Sequence, residues 1–548
     1  MPIQKSSVTY DAVIVGSGAT GGWAAKRLTE AGMRVALLEA GRRIQPSEFT
    51  EHKPSWQLPY LGHSPFVAET RPIQSTCPSC TEYNYKWFVD DRQNPYTQEK
   101  PFTWIRMRVL GGRSLSWGRQ SYRLSNLDFK AASHDGYGEN WPISYEDLAP
   151  YYDIVEQYIG VSGQAEGLQQ LPDGRFLPPM EFTCAEKLFK KEVERQFGRC
   201  VTIGRTAILT QKHNGRAACH YCGPCHRGCI TRSYFNSPAT TLADAEATGR
   251  LTILTESVAA RVLMDGGKAS GVAYVDAATR DLRTVHGKLI VLCASSLESV
   301  RLLLNSGIAN SSGVLGHYVL DNMFRGGADG LIPAGKALPW SGSPARPNGI
   351  YIPRFRNVKE KETNGFIRGY GYQGGCTPSF DFGAGGIGPG YKNAVREGHW
   401  NMRLNLYTEC LARKENRVEI DHARADAWGV PVLKMNVSWS DNELKMFADA
   451  QHEAMTMLKA AGAETPKLYD ERSKPGAAIH ETGGARMGDD RRTSVLNRYN
   501  QSHDVQNLFV TDGSCFVSNG CQNPTLTMMA ITVRACDYIT KEYAKSLV

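Results

Sequence analysis

The chain has 548 residues, 41% of them hydrophobic and 22% charged, with a formal net charge of +8. That balance belongs to a folded globular chain with a large core and excludes a disordered or low-complexity one. The positive charge is spread without a basic run, and no apolar stretch reaches about 18 residues, which argues against nucleic-acid recognition and against a membrane-spanning helix.

The N-terminus, MPIQKSSVTYDAVIVG, has no apolar signal core followed by a small-residue cleavage site. It predicts a chain without its own signal peptide. YDAVIVG reads as a short, buried, β-branched strand. GSGATGG follows, so that Gly16, Gly18 and Gly21 form G-x-G-x-x-G, and an Ala-rich helix runs on to Gly32. RVALLEAG is a second strand ending in Glu39, which follows Gly21 by 18 residues. Strand, loop, helix, strand and acid in this order predict a dinucleotide site. Gly16 permits the tight turn, Gly18 the approach of a pyrophosphate, and Gly21 close helix–strand packing. Glu39 is the expected ribose ligand.

Cys77 and Cys80 form a C-x-x-C pair read as idle thiols or a loop disulfide. Residues 219 to 229, CHYCGPCHRGC, space Cys219, Cys222, Cys225 and Cys229 as C-x2-C-x2-C-x3-C, after RTAILTQ, a predicted strand. The spacing matches a bacterial ferredoxin run, with Ile230 where that run has proline. Zinc, disulfides and free thiols are the alternatives at this point. The other ten cysteines are scattered, as buried thiols are.

Further along, Gly- and Pro-rich stretches such as GLIPAGKALPWSGSPARPNG and GAGGIGPGYKN alternate with predicted strands, including RLNLYTECLA and NRVEID. DNELKMFADAQHEAMTMLKAAG predicts an amphipathic helix whose methionines pack in a core. HETGGARMG begins at His480. NLFVTDG predicts a strand ending in Asp512 and Gly513, and NPTLTMMAITVRACDYI a helix with Pro524 near its first turn.

These last stretches, with the N-terminal unit, VLGGRSLSWGR, WPISYEDLAPYY and SSLESVRLLLNSG, resemble the glucose–methanol–choline (GMC) flavoprotein oxidoreductases over nearly the whole chain. The N-P-T-L-T run is similar to that of the pyranose-oxidase-like branch. The resemblance implies FAD and an alcohol oxidised by hydride transfer to it, with His480 and Asn523 as the catalytic pair. It also implies flavin contacts from Ser114, Trp117, Gly118, Val258, Asp512, Gly513 and Thr525. Ser116 stands where that branch often carries a flavin-linked histidine, so a noncovalent FAD is expected. The cysteine loop resembles one in gluconate and glucose dehydrogenase large subunits. It implies a 3Fe-4S or 4Fe-4S cluster, a small companion subunit and a cytochrome acceptor. The chain would then be cytoplasmic, or periplasmic if exported with its companion.

The expected fold class is α/β (α+β overall). A discontinuous Rossmann-like FAD-binding domain takes residues 1–60, 100–135, 201–320 and 478–548. A substrate domain with a largely antiparallel sheet takes 321–477. Connecting or lid segments take 61–99 and 136–200. The expected activity is dehydrogenation of a secondary alcohol of a sugar or sugar derivative. The rivals are a pyranose oxidase whose cysteines bind zinc or nothing, and a non-enzymatic flavin or electron-relay subunit.

Overall fold

Strand β1 (Gln4–Val15) carries the apolar run Ala12–Val15, which is buried on both faces, as a central parallel strand must be. Helix α1 (Ala19–Glu30) and strand β2 (Val35–Leu38) follow, and Gly32 turns the chain between them with φ of +92°. The computed structural model describes residues 4–62, 64–333, 345–362, 364–379, 387–396 and 398–543. Parts of the Gly/Pro-rich stretches, at 334–344 and 380–386, lie outside the described residues.

The first sheet is a parallel row capped by an antiparallel meander. Leu251–Leu254, β2, β1 and Leu282–Leu292 run parallel, and Leu508–Val510 pairs in parallel with the end of Leu282–Leu292. Ser257–Asp265 and Lys268–Asp276 pair antiparallel beside the start of that same strand. Three distant parts of the sequence therefore share one ladder. The last helix, Thr525–Lys541, closes the layer by packing Cys536 and Ile539 against Ala24, Ala25 and Leu28 of α1. Burying a side chain of this size stabilises the fold by roughly 1.5–3 kcal/mol. Arg27 of α1 pairs with Asp537 across the same contact.

The second sheet is antiparallel throughout, in the order Glu464–Asp470, Gly326–Pro333, His399–Thr408, Tyr370–Ser379, Ile350–Ile352 and Thr202–Ile203. Period-2 alternation sends Trp400, Met402, Leu404 and Leu406 to one face, beneath helix Asp441–Ala460. Met446 and Met457 of that helix lie in this core, as its amphipathic pattern predicts. The other face carries Gln373 and Tyr407 to the large cavity between the two sheets. The architecture is the expected one, a Rossmann-like nucleotide layer and a second layer built on an antiparallel sheet.

Two local readings differ from the structure, and a third stretch is the expected strand in a smaller sheet. RTAILTQ makes only isolated bridges through Thr206 and Ile208. Thr202–Ile203, expected in the nucleotide unit, is the edge of the antiparallel sheet. NRVEID does not join the large antiparallel sheet. It pairs within Arg417–Ala425, Pro431–Asn436 and Thr97–Gln98, and Val418, Leu433 and Met435 pack in the same core as Val300 and Leu303 of helix Ser296–Ser306. Arg301 of that helix holds the hairpin by donating to the Val430 and Pro431 carbonyls and to Asp426.

Candidate active site

Parallel strands leave their carboxyl ends at one edge of a sheet, where the chain must turn and side chains converge. Here the residues that follow those ends are Gly16, Glu39, Cys293 and Asp512, and all four line a single cavity of about 420 Å³. Gly18, Ser114, Trp117, Gly118, Val258, Gly513, Thr525, His480 and Asn523 line it too, so the predicted site residues from both halves of the sequence meet there. Gly21 is the exception. A Cβ at Gly21 would sit 1.9 Å from the Gly16 carbonyl oxygen, so its part is packing, not lining.

At the nucleotide end, Gly16 has φ of +96°, and a Cβ there would meet the Cys293 carbonyl at 2.3 Å. Gly18 has no atom within 4 Å of a Cβ position, so it faces open space. Gly18 also caps α1 without a side-chain bond, which leaves the N–H groups of the first turn free for an anion. Ser17 donates to Glu39 and accepts the Gly111 N–H at 2.8 Å, tying VLGGRSLSWGR to the glycine turn. Burial raises the Glu39 carboxyl above its ordinary value. Arg108, which also lines the cavity, has its Nη1 buried without a hydrogen-bond partner. An uncapped helix start, an open glycine and an orphaned guanidinium nitrogen in one long cavity fit a dinucleotide such as FAD.

Beside them, Ser114 Oγ donates to the Gly111 carbonyl at 2.6 Å and Trp117 Nε1 to the Phe235 carbonyl at 2.9 Å. Ser116 donates to Met107 Sδ at 2.9 Å. Asp512 is buried, accepts from Ser299 and Ser514, and is pushed up by desolvation.

At the far end, Asn523 Nδ2 lies 2.9 Å from His480 Nε2, and Gln373 Nε2 donates to Asn523 Oδ1 at 2.7 Å. Asn322 Oδ1 meets His480 Nδ1 at 2.8 Å, and the Tyr407 ring stacks on the imidazole with centroids 5.8 Å apart. Burial, then the Arg113 guanidinium, pushes the His480 pKa down to about 3, so the ring is neutral. Ile479, just before it, has φ of +63°. A β-branched residue is strained there by about 1–3 kcal/mol. The main chain holds the turn: Ile479 N–H donates to the Gly476 carbonyl, and His480 N–H to buried Asp321 at 3.2 Å. The sequence signalled His480 and Asn523 through their motifs. It gave no signal for Asn322, Gln373 or Tyr407, which arrive from a loop and two strands with no motif of their own.

No residue of the cysteine loop lines the cavity, although Arg119, which does, stands near Cys225. Cys225 is buried, Cys219 and Cys229 half-buried and Cys222 exposed, and none of the fourteen cysteines forms a disulfide. Tyr221 N–H donates to Cys219 Sγ at 3.4 Å and Ser233 N–H to Cys229 Sγ at 3.3 Å. Burial and the neighbouring thiols push Cys222 up to about 11. Among the described residues, however, no three His, Cys, Asp or Glu side chains converge at metal-binding distance. The expected cluster thus has its donor set in one loop without a converged geometry. Cys77 and Cys80 are buried free thiols.

Comparison with known proteins matches this architecture along the chain. The family profile GMC oxidoreductase fits residues 10–324 at the N-terminal side and 412–532 at the C-terminal side. The chain is 27% identical to the 2-methyl-1,2-propanediol dehydrogenase of Mycolicibacterium austroafricanum, over 97% of this chain and 96% of that protein. It is 26% identical to the gluconate 2-dehydrogenase flavoprotein of Pantoea cypripedii, covering 98% and 94%. It is 25% identical to the fructose dehydrogenase large subunit of Gluconobacter japonicus, covering 98% and 99%. Among solved structures, a formate oxidase of Aspergillus oryzae superposes with a TM-score of 0.62 at 14% identity, covering 98% of this chain and 99% of that one, a likeness of fold. With the glycine turn, the convergent C-terminal residues and a profile match over more than half its length, the chain belongs to the GMC oxidoreductase family.

Proposed function

We propose that this GMC oxidoreductase is an FAD-dependent dehydrogenase that oxidises a secondary alcohol of a sugar or sugar derivative. The observation that carries the reading is the meeting of His480 and Asn523 at one end of a cavity whose other end fits a dinucleotide. FAD, when bound, supplies the acceptor for the hydride and leaves a ketone behind. His480 is the residue proposed to take the hydroxyl proton, as a neutral imidazole whose Nε2 accepts from Asn523 Nδ2 in this structure. Asn523 cannot titrate, so it positions and polarises the same oxygen. Gln373 and Tyr407 bring the antiparallel sheet to the substrate side of the pair. Noncovalent attachment is supported by Ser116, which lies against Met107.

The four-cysteine loop is the proposed seat of an iron–sulfur cluster, serving a cytochrome or other acceptor protein beside a small companion subunit. Its support is the crowding of four thiols in one loop, the N–H donors to two of the sulfurs, and relatives named as a dehydrogenase flavoprotein and a large subunit. Periplasmic export would depend on that companion. A second reading, an oxygen-using oxidase, is favoured by the unconverged cysteines and by a relative named paromamine 6'-oxidase.

Anaerobic purification with iron and sulfide assays and low-temperature EPR separates the two readings. Bound iron with an EPR signal is the expected result, and iron-free protein that makes peroxide from sugar and oxygen would establish the oxidase. A sugar screen with artificial acceptors then gives the substrate. With it, His480→Ala is expected to slow anaerobic flavin bleaching by about 10²–10⁴-fold while FAD stays bound. Wild-type bleaching by that variant would remove the catalytic assignment.

A further inference from the structure

The hydrogen bonds around His480 form a continuous chain whose direction is set at one end. Asn322 is buried in the loop before strand Gly326–Pro333. Its Nδ2 donates to two main-chain oxygens, of Thr408 at 2.6 Å and Gly520 at 3.0 Å. Carbonyl oxygens only accept, so the amide has one orientation. Flipped, it would set its own oxygen against both carbonyls. The oriented Oδ1 then faces His480 Nδ1, which must carry the proton. Nε2 is left as the lone-pair nitrogen and accepts from Asn523 Nδ2. Asn523 in turn must offer its oxygen to Gln373 Nε2. Were Nε2 protonated instead, Nδ1 and Asn322 Oδ1 would meet as two acceptors, and Asn523 and Gln373 would both have to turn over.

We infer that Asn322 is a positioning residue that places the His480 proton on Nδ1 and so makes Nε2 the nitrogen that receives the substrate proton. The inference rests on the reading of His480 as the base. Without Asn322 the imidazole loses its fixed tautomer, and a fraction of the protein presents an N–H to the substrate hydroxyl where a lone pair is needed. The two carbonyls that hold Asn322 come from the antiparallel sheet and from the segment leading into the last helix. The same residue therefore ties the substrate layer to the nucleotide layer at the reacting end of the cavity.

The test uses FAD-loaded protein labelled with ¹⁵N-histidine, with His480→Gln to assign the resonance. Wild-type protein is expected to show Nδ1 protonated and Nε2 unprotonated; the reverse overturns the inference without any variant. Asn322→Ala is expected to give a mixed tautomer signal and a kcat/KM about 10- to 100-fold lower on the substrate found by the screen. Asn322→Asp keeps the acceptor but sets its second oxygen against the Thr408 and Gly520 carbonyls, so its melting temperature and FAD content are matched to wild type before its tautomer and rate are read. If the role is tautomer control, Asp restores the Nδ1–H signal and most of the rate. A merely structural role would leave Asp as impaired as Ala. A carboxylate at this position also raises the imidazole pKa, so an acid limb appears in the Asp variant's pH profile. The charged and titratable groups around the ring are Asp321, which accepts the His480 N–H, Arg113 with its ion partner Glu481, and the stacked Tyr407. If His480→Gln reduces flavin at the wild-type rate, the base assignment fails, and the tautomer result is decided separately. If His480→Gln is inactive and both Asn322 variants keep the wild-type tautomer, the inference about Asn322 alone fails.

Discussion

At the scale of single residues, burial keeps one imidazole of the cavity uncharged. His480 is held near pKa 3 when folded, against about 6.5 in an unfolded chain. As pH falls below about 6.5, the unfolded chain takes up the proton first. Stability from this group is therefore complete above that pH and lost progressively on the way down towards 3. His226, pushed down to about 4 by burial and then Arg227, acts in the same sense. His480→Gln is expected to flatten the decline of melting temperature between pH 6.5 and 4, read by thermal melts across pH. An unchanged decline would mean that the ring takes up its proton alike in the folded and the unfolded chain. The cation at Arg113 reinforces the neutral state, and its ion pair with Glu481 fixes where that cation stands. His480 was legible because it sits in a motif. Asn322 was not, since its role depends on two carbonyls at positions 408 and 520 that only folding brings to it.

At the scale of elements, the β1–α1–β2 unit was legible because its signals are local: a β-branched run, three spaced glycines and an acid. The structure also separates what those glycines do. Gly21 has no room for a methyl group, whereas Gly18 has open space and an ordinary φ of −63°. Gly21→Ala is expected to destabilise the fold by about 1–3 kcal/mol and to lose FAD. Gly18→Ala is expected to melt as the wild-type apoprotein does but to bind FAD more weakly, because its methyl group enters the phosphate side. Chemical denaturation of the apoproteins and FAD titration distinguish the two; equal apo stability would dismiss the packing role of Gly21. Two other stretches were read as strands without a partner ladder, and only one of them forms a strand. RTAILTQ has a strand-like composition, and NRVEID a strand-like pattern, but neither says which ladder will accept it. Thr206 finds only single bridges, while Val418 is claimed by the helix bearing Arg301.

At the scale of the whole molecule, α1 and the last helix are each other's support. Their apolar contact and the Arg27–Asp537 pair join positions more than five hundred residues apart. Deleting residues 525–543 is expected to abolish FAD binding and cooperative unfolding together, although the glycine turn is intact. Retention of either would show that the N-terminal unit stands alone. FAD binding should raise the melting temperature of the complete chain, since a ligand taken only by the folded state stabilises it in proportion to RT ln(1 + [L]/Kd). That distant parts of the chain meet in one sheet was legible because motifs for one site lie at both ends of the sequence. The packing of the cysteine loop was not, because spacing counts residues and not the directions of their sulfurs.

The shared ladder of β1, Leu282–Leu292 and Leu508–Val510 also sets a timetable for biosynthesis. At about 5–20 residues per second, the ribosome needs on the order of 25–100 seconds between making the first of these strands and the last. During that interval the nascent nucleotide layer lacks the strand that ends at Asp512 and the helix that covers α1. A chain that needs its C-terminal segment to hold the flavin, the outcome expected of the 525–543 deletion, would load its cofactor late, long after the binding motif is translated.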